Sequence, residues 1–114
     1  MAIVMNNQNS SQIPEVMQLS NLVDYQTGSV VSRTIIKKEK GTLTLFAFDK
    51  GEALSEHTAP FDAFVYIVDG EAQVTIENKS YQLLAGEALI LPANRPHSVK
   101  AIKRFKMLLT MVRS

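Results

Sequence analysis

Seven short runs of β-branched, aromatic and aliphatic residues, separated by turn-forming dipeptides, constrain this chain more than anything else in it. They read VVSRTII at 30–36, TLTLFAF at 42–48, FVYIV at 64–68, EAQVTI at 71–76, SYQLL at 80–84, ALIL at 88–91 and FKMLLTMV at 105–112. Ala72, Val74 and Ile76 alternate with Gln73 and Thr75, the period of a strand with one face buried. Lys40-Gly41, Asp69-Gly70, Asn78-Lys79 and Ala85-Gly86 fall between runs, where tight turns need residues that tolerate positive φ. Helical periodicity is weak, with room for one short turn over 15–22. Many short strands at nearly regular spacing predict an all-β, antiparallel sandwich or barrel.

Length and composition bound the rest. With 114 residues the chain has material for one core. The polar stretch NNQNSSQ at 6–12 has nothing to bury, so residues 1–14 are expected to be a disordered tail and 15–114 a single barrel domain. The absence of cysteine excludes disulfides, thiolate metal sites and cysteine nucleophiles, and fits a reducing compartment. A formal charge of +1 supplies no field for nucleic acid or an anionic membrane. Lys37, Lys38 and Lys40, like Lys100, Lys103, Arg104 and Lys106, read as loop ends and edge-strand lysines rather than a nucleic-acid face. No apolar run approaches the roughly 18 residues of a spanning helix, and MAIVM at the start lacks the basic residues of a secretory signal. A soluble, cytoplasmic protein is expected.

Two histidines, His57 and His97, each lie in a segment that opens with glycine and contains proline: GEALSEHTAPFDAFVYIVDG from Gly51 to Gly70, and GEALILPANRPHSVKA from Gly86 to Ala101. These segments resemble the two motifs of the cupin family, Gly-x5-His-x-His-x3,4-Glu-x6-Gly and Gly-x5-Pro-x-Gly-x2-His-x3-Asn. Gly51, His57 and Gly70 stand at the spacing of the first motif; Gly86, Pro92 and His97 stand at that of the second. The fifteen residues between Gly70 and Gly86 look like the short spacing of compact microbial cupins. The resemblance implies a jelly-roll β-barrel of the RmlC-like type, and a homodimer. It also implies a metal held by two motif-1 histidines, the glutamate and the motif-2 histidine. Here the second histidine position is Ala59, the glutamate position is Ala63, the motif-2 glycine is Asn94 and the asparagine is Ala101.

Side chains two apart on a strand share a face, so an inward His57 brings position 59 inward as well. Two histidines fall short of the three or four ligands of a zinc site and of the two-histidine, one-carboxylate iron centre. Asp62 is the candidate third group, provided a bend at Ala59-Pro60-Phe61 turns it inward; its other reading is a surface turn residue. On a regular strand Asp62 and Glu56 both face away from His57. Phe64 and Tyr66 are expected on the opposite sheet face, and Met107 and Met111 in core or dimer packing.

The leading expectation is a small-molecule pocket inside the barrel, lined by His57, Ala59, Ala63, Val65, Ile67, His97 and Val99, with metal dispensable or weakly bound. An alternative is an enzyme, either a metal-dependent oxygenase or isomerase or a metal-free isomerase. It would use His57, His97 and Asp62 as catalytic candidates, with zinc, iron, manganese or nickel as the conceivable metal. A third reading is a sensor or regulatory protein without turnover.

Overall fold

The computed structural model describes residues 2–7 and 14–113. Its strands are β1 (Ala2–Asn7), β2 (Ser29–Lys38), β3 (Gly41–Phe48), β4 (Ala53–His57), β5 (Asp62–Ile76), β6 (Lys79–Leu84), β7 (Ala88–Leu91), β8 (His97–Lys100) and β9 (Phe105–Val112), with a single 3-10 turn at Leu19–Asn21. One sheet runs β1-β2-β3-β9-β5-β7 and the other β4-β8-β5-β6. All pairings are antiparallel except β1 with β2. This is the expected jelly-roll barrel of two sheets.

Strand β5 joins the two sheets, which corrects the expectation of a turn at Asp69-Gly70. Residues 62–70 pair with β9, and residues 71–76 pair with β6. Between them the register slips after Ile67. Ala63, Val65 and Ile67 are buried on odd positions, and Ala72, Val74 and Ile76 on even ones. One extra residue at a bulge restores the inward face, and the bulge sharpens the twist that carries the strand across. Gly70 has φ +80, and a Cβ there would collide with the Arg104 carbonyl oxygen. The glycine therefore makes a corner rather than a hairpin.

Three other expectations change. Ala2–Asn7 pairs with Ser29–Thr34 as β1, so that part of the predicted disordered tail is a strand, while residues 8–13 lie outside the described ones. Sequence patterning missed β4 and β8, because ALSEH and HSVK are short and polar and sit where solvent reaches one side of the sheet. Finally, Lys106 is not a loop-end lysine. It is buried and donates from Nζ to the Ser20 carbonyl at 2.6 Å, while Arg104 pairs with Asp49.

The barrel interior is filled by a cluster that includes Val30, Phe48, Val65, Ile67, Val74, Phe105 and Met107. The rings of Phe48 and Phe105 stack with centroids 4.4 Å apart. Each fully buried side chain of this size contributes on the order of 1.5–3 kcal/mol by leaving water. A second cluster, Val23, Val31, Leu45 and Ala47, lies on the outer face of the first sheet, roofed by Leu19, Leu22 and Tyr25. The segment before β2 thus covers that sheet face, and both sides of β3 are buried at its C-terminal end.

Candidate functional site

His57 closes β4 and His97 opens β8, and the two are partners across the β4–β8 ladder. Their Nε2 atoms are 3.2 Å apart, with ring centroids at 4.4 Å and planes inclined at 69°. His57 Nδ1 lies 2.9 Å from the Ser55 carbonyl oxygen, and His97 Nδ1 lies 3.2 Å from that of Arg95. A carbonyl oxygen only accepts, so each of those contacts takes a ring N–H; two neutral rings have only two such hydrogens for these contacts and the Nε2–Nε2 one, which is also of hydrogen-bond length. The backbone thereby aims the two Nε2 atoms at one point.

Two loops set this geometry. Asn94, at φ 63, takes the left-handed conformation that asparagine tolerates well, and its N–H donates to the Ala59 carbonyl at 2.8 Å. The Asp62 carboxylate accepts from the Ala93 N–H at 2.9 Å. Glu77 N–H donates to the Pro96 carbonyl, and the Glu77 carboxylate pairs with Arg95 at 2.6 Å. The loop before His97 is thus pinned from both sides. His57 is exposed at the mouth, while His97 is buried. Burial disfavours the charged ring and pulls the His97 pKa below its ordinary value, helped by the neighbouring His57 and opposed by the hydrogen bond to Arg95.

Behind the imidazoles lies a cavity of about 40 Å³ lined by His57, Ala59, Ala63, Val65, His97 and Val99, six of the seven residues anticipated for it. At ~10–15 Å³ per water this admits a few waters or the end of a small ligand. Ile67, the seventh, does not line it and is fully buried in the barrel core. Leu54, Phe61, Leu91, Met107, Leu109 and Met111 complete the wall. The spacing of Met107, Leu109 and Met111 along β9 is the strand period, and it is the signal that would have placed them together. Phe64 is exposed on the other sheet face.

Asp62 does not join the histidines; its carboxylate caps the Ala93 N–H. The spacing of the two Nε2 atoms matches that of two nitrogens on one tetrahedral ion, which at ~2.0–2.1 Å per bond lie about 3.3 Å apart. The donor count does not match. Among the described residues, no group of three or more His, Cys, Asp or Glu is placed to hold an ion, and small apolar side chains stand at Ala59 and Ala63. The residues present do not form a complete metal centre.

Two largely antiparallel sheets joined by one bent strand, with paired histidines at one end of an apolar interior, define a small barrel of the jelly-roll class. The chain belongs to the cupin family: residues 44–112, more than half of it, match the family's cupin domain. A conserved Streptococcus pyogenes protein of unknown function superposes with a TM-score of 0.87 at 31% identity, over 100% of this chain and 96% of that one. A cupin 2 conserved barrel domain protein from Leptotrichia buccalis gives 0.83 at 40% identity, over 85% of this chain and 47% of that one. The polyketide synthase CurC of Streptomyces cyaneus is 30% identical over 63 residues, 54% of this chain and 41% of that protein. The chain thus matches less than half the length of that curated relative.

Proposed function

We propose that this cupin-domain protein binds a small molecule at the barrel mouth through His57 and His97, without needing a metal. The observation that carries this reading is the pair of Nε2 atoms 3.2 Å apart, both Nδ1 groups being engaged by carbonyls. With two N–H hydrogens for three contacts, the two neutral imidazoles accept a further hydrogen-bond donor, such as a ligand hydroxyl or N–H. The apolar wall behind them suits the hydrocarbon part of the same molecule. Exposed Ile36, Phe64, Ile90 and Val112 support pairing of two copies, and the cysteine-free composition supports a cytoplasmic setting.

The test combines metal content with ligand screening. Protein purified without chelator is expected to carry far less than one metal ion per chain. A screen of small alcohols, acids and amides by thermal shift should yield compounds that raise the wild-type Tm but not that of His57→Ala/His97→Ala. Near-stoichiometric metal, or hits that stabilise the double variant equally, would overturn the reading.

One observation favours a second reading. A buried His97 with a lowered pKa is a neutral imidazole at neutral pH, the form a general base needs. A metal-free isomerase would then exchange a substrate C–H for deuterium in heavy water, and His97→Gln would abolish that exchange.

A further inference from the structure

A second concavity, of about 330 Å³, adjoins the histidine cavity and shares its wall residues Phe61 and Met111. Its volume falls at the lower end of the ~300–1,000 Å³ typical of small-molecule sites. Lys37, Lys38 and Lys40, from the β2–β3 hairpin, and Arg113, just beyond β9, surround it. Glu39 is the one carboxylate in the lining.

The cations of this groove differ from others in the molecule. Arg95 and Arg104 are paired with Glu77 and Asp49. Among the described residues, Arg113 and the three lysines have no carboxylate at ion-pair distance. The backbone N–H of Arg113 donates to the Lys40 carbonyl at 2.9 Å, tying the two sides of the groove together. Its guanidinium lies 6.0 Å from the centroid of Phe61, which lines both the groove and the histidine cavity. The Thr42 hydroxyl in the groove wall is buried without a hydrogen-bond partner. Unpaired like charges on one hairpin repel one another, so an anion entering the groove relieves repulsion as well as gaining attraction. A guanidinium beside an apolar ring suits a planar carboxylate carried on a hydrocarbon body.

We infer that the ligand is a small amphipathic organic acid. Its carboxylate sits in the Lys37, Lys38, Lys40 and Arg113 groove, its hydrocarbon part passes Phe61 and Met111 into the histidine cavity, and a hydroxyl or N–H at its far end meets the imidazoles. This rests on the binding reading above and adds the ligand's charge and its direction of entry.

The experiment is an NMR titration of the protein with hexanoate and, separately, hexanol at low ionic strength. It is repeated on Lys37→Gln/Lys38→Gln/Lys40→Gln/Arg113→Gln, whose surface changes are expected to leave the Tm unchanged. Wild type should bind hexanoate about tenfold more tightly than hexanol, a difference of about 1.4 kcal/mol. That preference should vanish in the variant and shrink with added salt. Hexanoate should also shift the Val65 and Val99 methyl signals together with the Thr42 and Arg113 amides. Equal binding of acid and alcohol, with the methyl signals moving for both, would overturn the inference and leave the pocket reading standing. Groove shifts with no methyl shift would overturn both, as would no binding of either compound.

Discussion

The outer face of the first sheet and the barrel mouth, where β4 and β8 of the second sheet meet, carry polar clusters of opposite character. On the outer face, Tyr25 donates to an Asp69 carboxylate oxygen at 2.6 Å, and the Arg104 and Lys106 cations both lie 4.9 Å from the Tyr25 ring centroid. Arg104 Nε donates to one Asp49 oxygen, the Gly28 N–H donates to the other, and Lys106 reaches the Ser20 carbonyl. Donors meet acceptors throughout. At the barrel mouth, the His57 and His97 Nε2 atoms face each other at 3.2 Å with both Nδ1 atoms against carbonyl oxygens, so the neutral pair is one hydrogen short of filling its three contacts. A saturated cluster fixes structure, whereas a cluster short of a donor has a reason to take one from a ligand.

Gly70→Ala should break the outer region most severely. It stands beside Asp69 and against the Arg104 backbone, so a methyl at positive φ strains the bulge and displaces both partners. Strain of this kind and the clash together cost about 3 kcal/mol or more, read as a large fall in midpoint on chemical denaturation. A loss below about 1 kcal/mol would mean that the corner relaxes freely. Tyr25→Ala comes next, at about 2–3 kcal/mol, because it removes a half-buried ring that packs on the outer cluster and faces two cations. Tyr25→Phe keeps the ring and loses only the Asp69 hydrogen bond, about 1 kcal/mol. Ligand affinity at the histidine pair should be unchanged in both tyrosine variants; a parallel loss there would show that the two regions are coupled.

Much of this contrast was legible before the structure, and the misses have physical causes. The inner site was readable because His57 and His97 sit at fixed distances from glycines and a proline, and such spacing survives whatever lies between. The corner at Gly70 was readable as punctuation but not as a bulge. Both hairpin turns and bulges ask for a residue at positive φ, and only the switch of buried positions from Ile67 to Ala72 tells them apart. The outer cluster was not readable at all. It joins Tyr25, Asp49, Asp69 and Arg104 from four separate parts of the chain, and a lysine on a strand gives no sign that a preceding segment folds over it. Asp62 was equally opaque, since a carboxylate next to a bend serves a turn N–H as readily as a catalytic site.

The mildest test separates the two regions by pH. His97 has a folded pKa below its ordinary 6.5, principally through burial. The unfolded chain therefore takes up that proton first, so the stability linked to His97 is complete above about pH 6.5 and declines as pH falls through the folded value. Asp49 is held at about 2 by its hydrogen bonds from Arg104 and the Gly28 N–H, below an ordinary 3.8. Its contribution is complete above about pH 4 and is lost as pH falls toward 2. Equilibrium unfolding followed from pH 8 downward should show a first decline traceable to the inner site and a later one traceable to the outer cluster. His97→Gln is expected to flatten only the first slope, and Asp49→Asn only the second. The slope is the readout, so a uniform loss of stability in either variant does not obscure the result. An undiminished first decline in His97→Gln would mean that the ring is better hydrated than its burial implies. The inner site would then have no special need of a ligand to complete it.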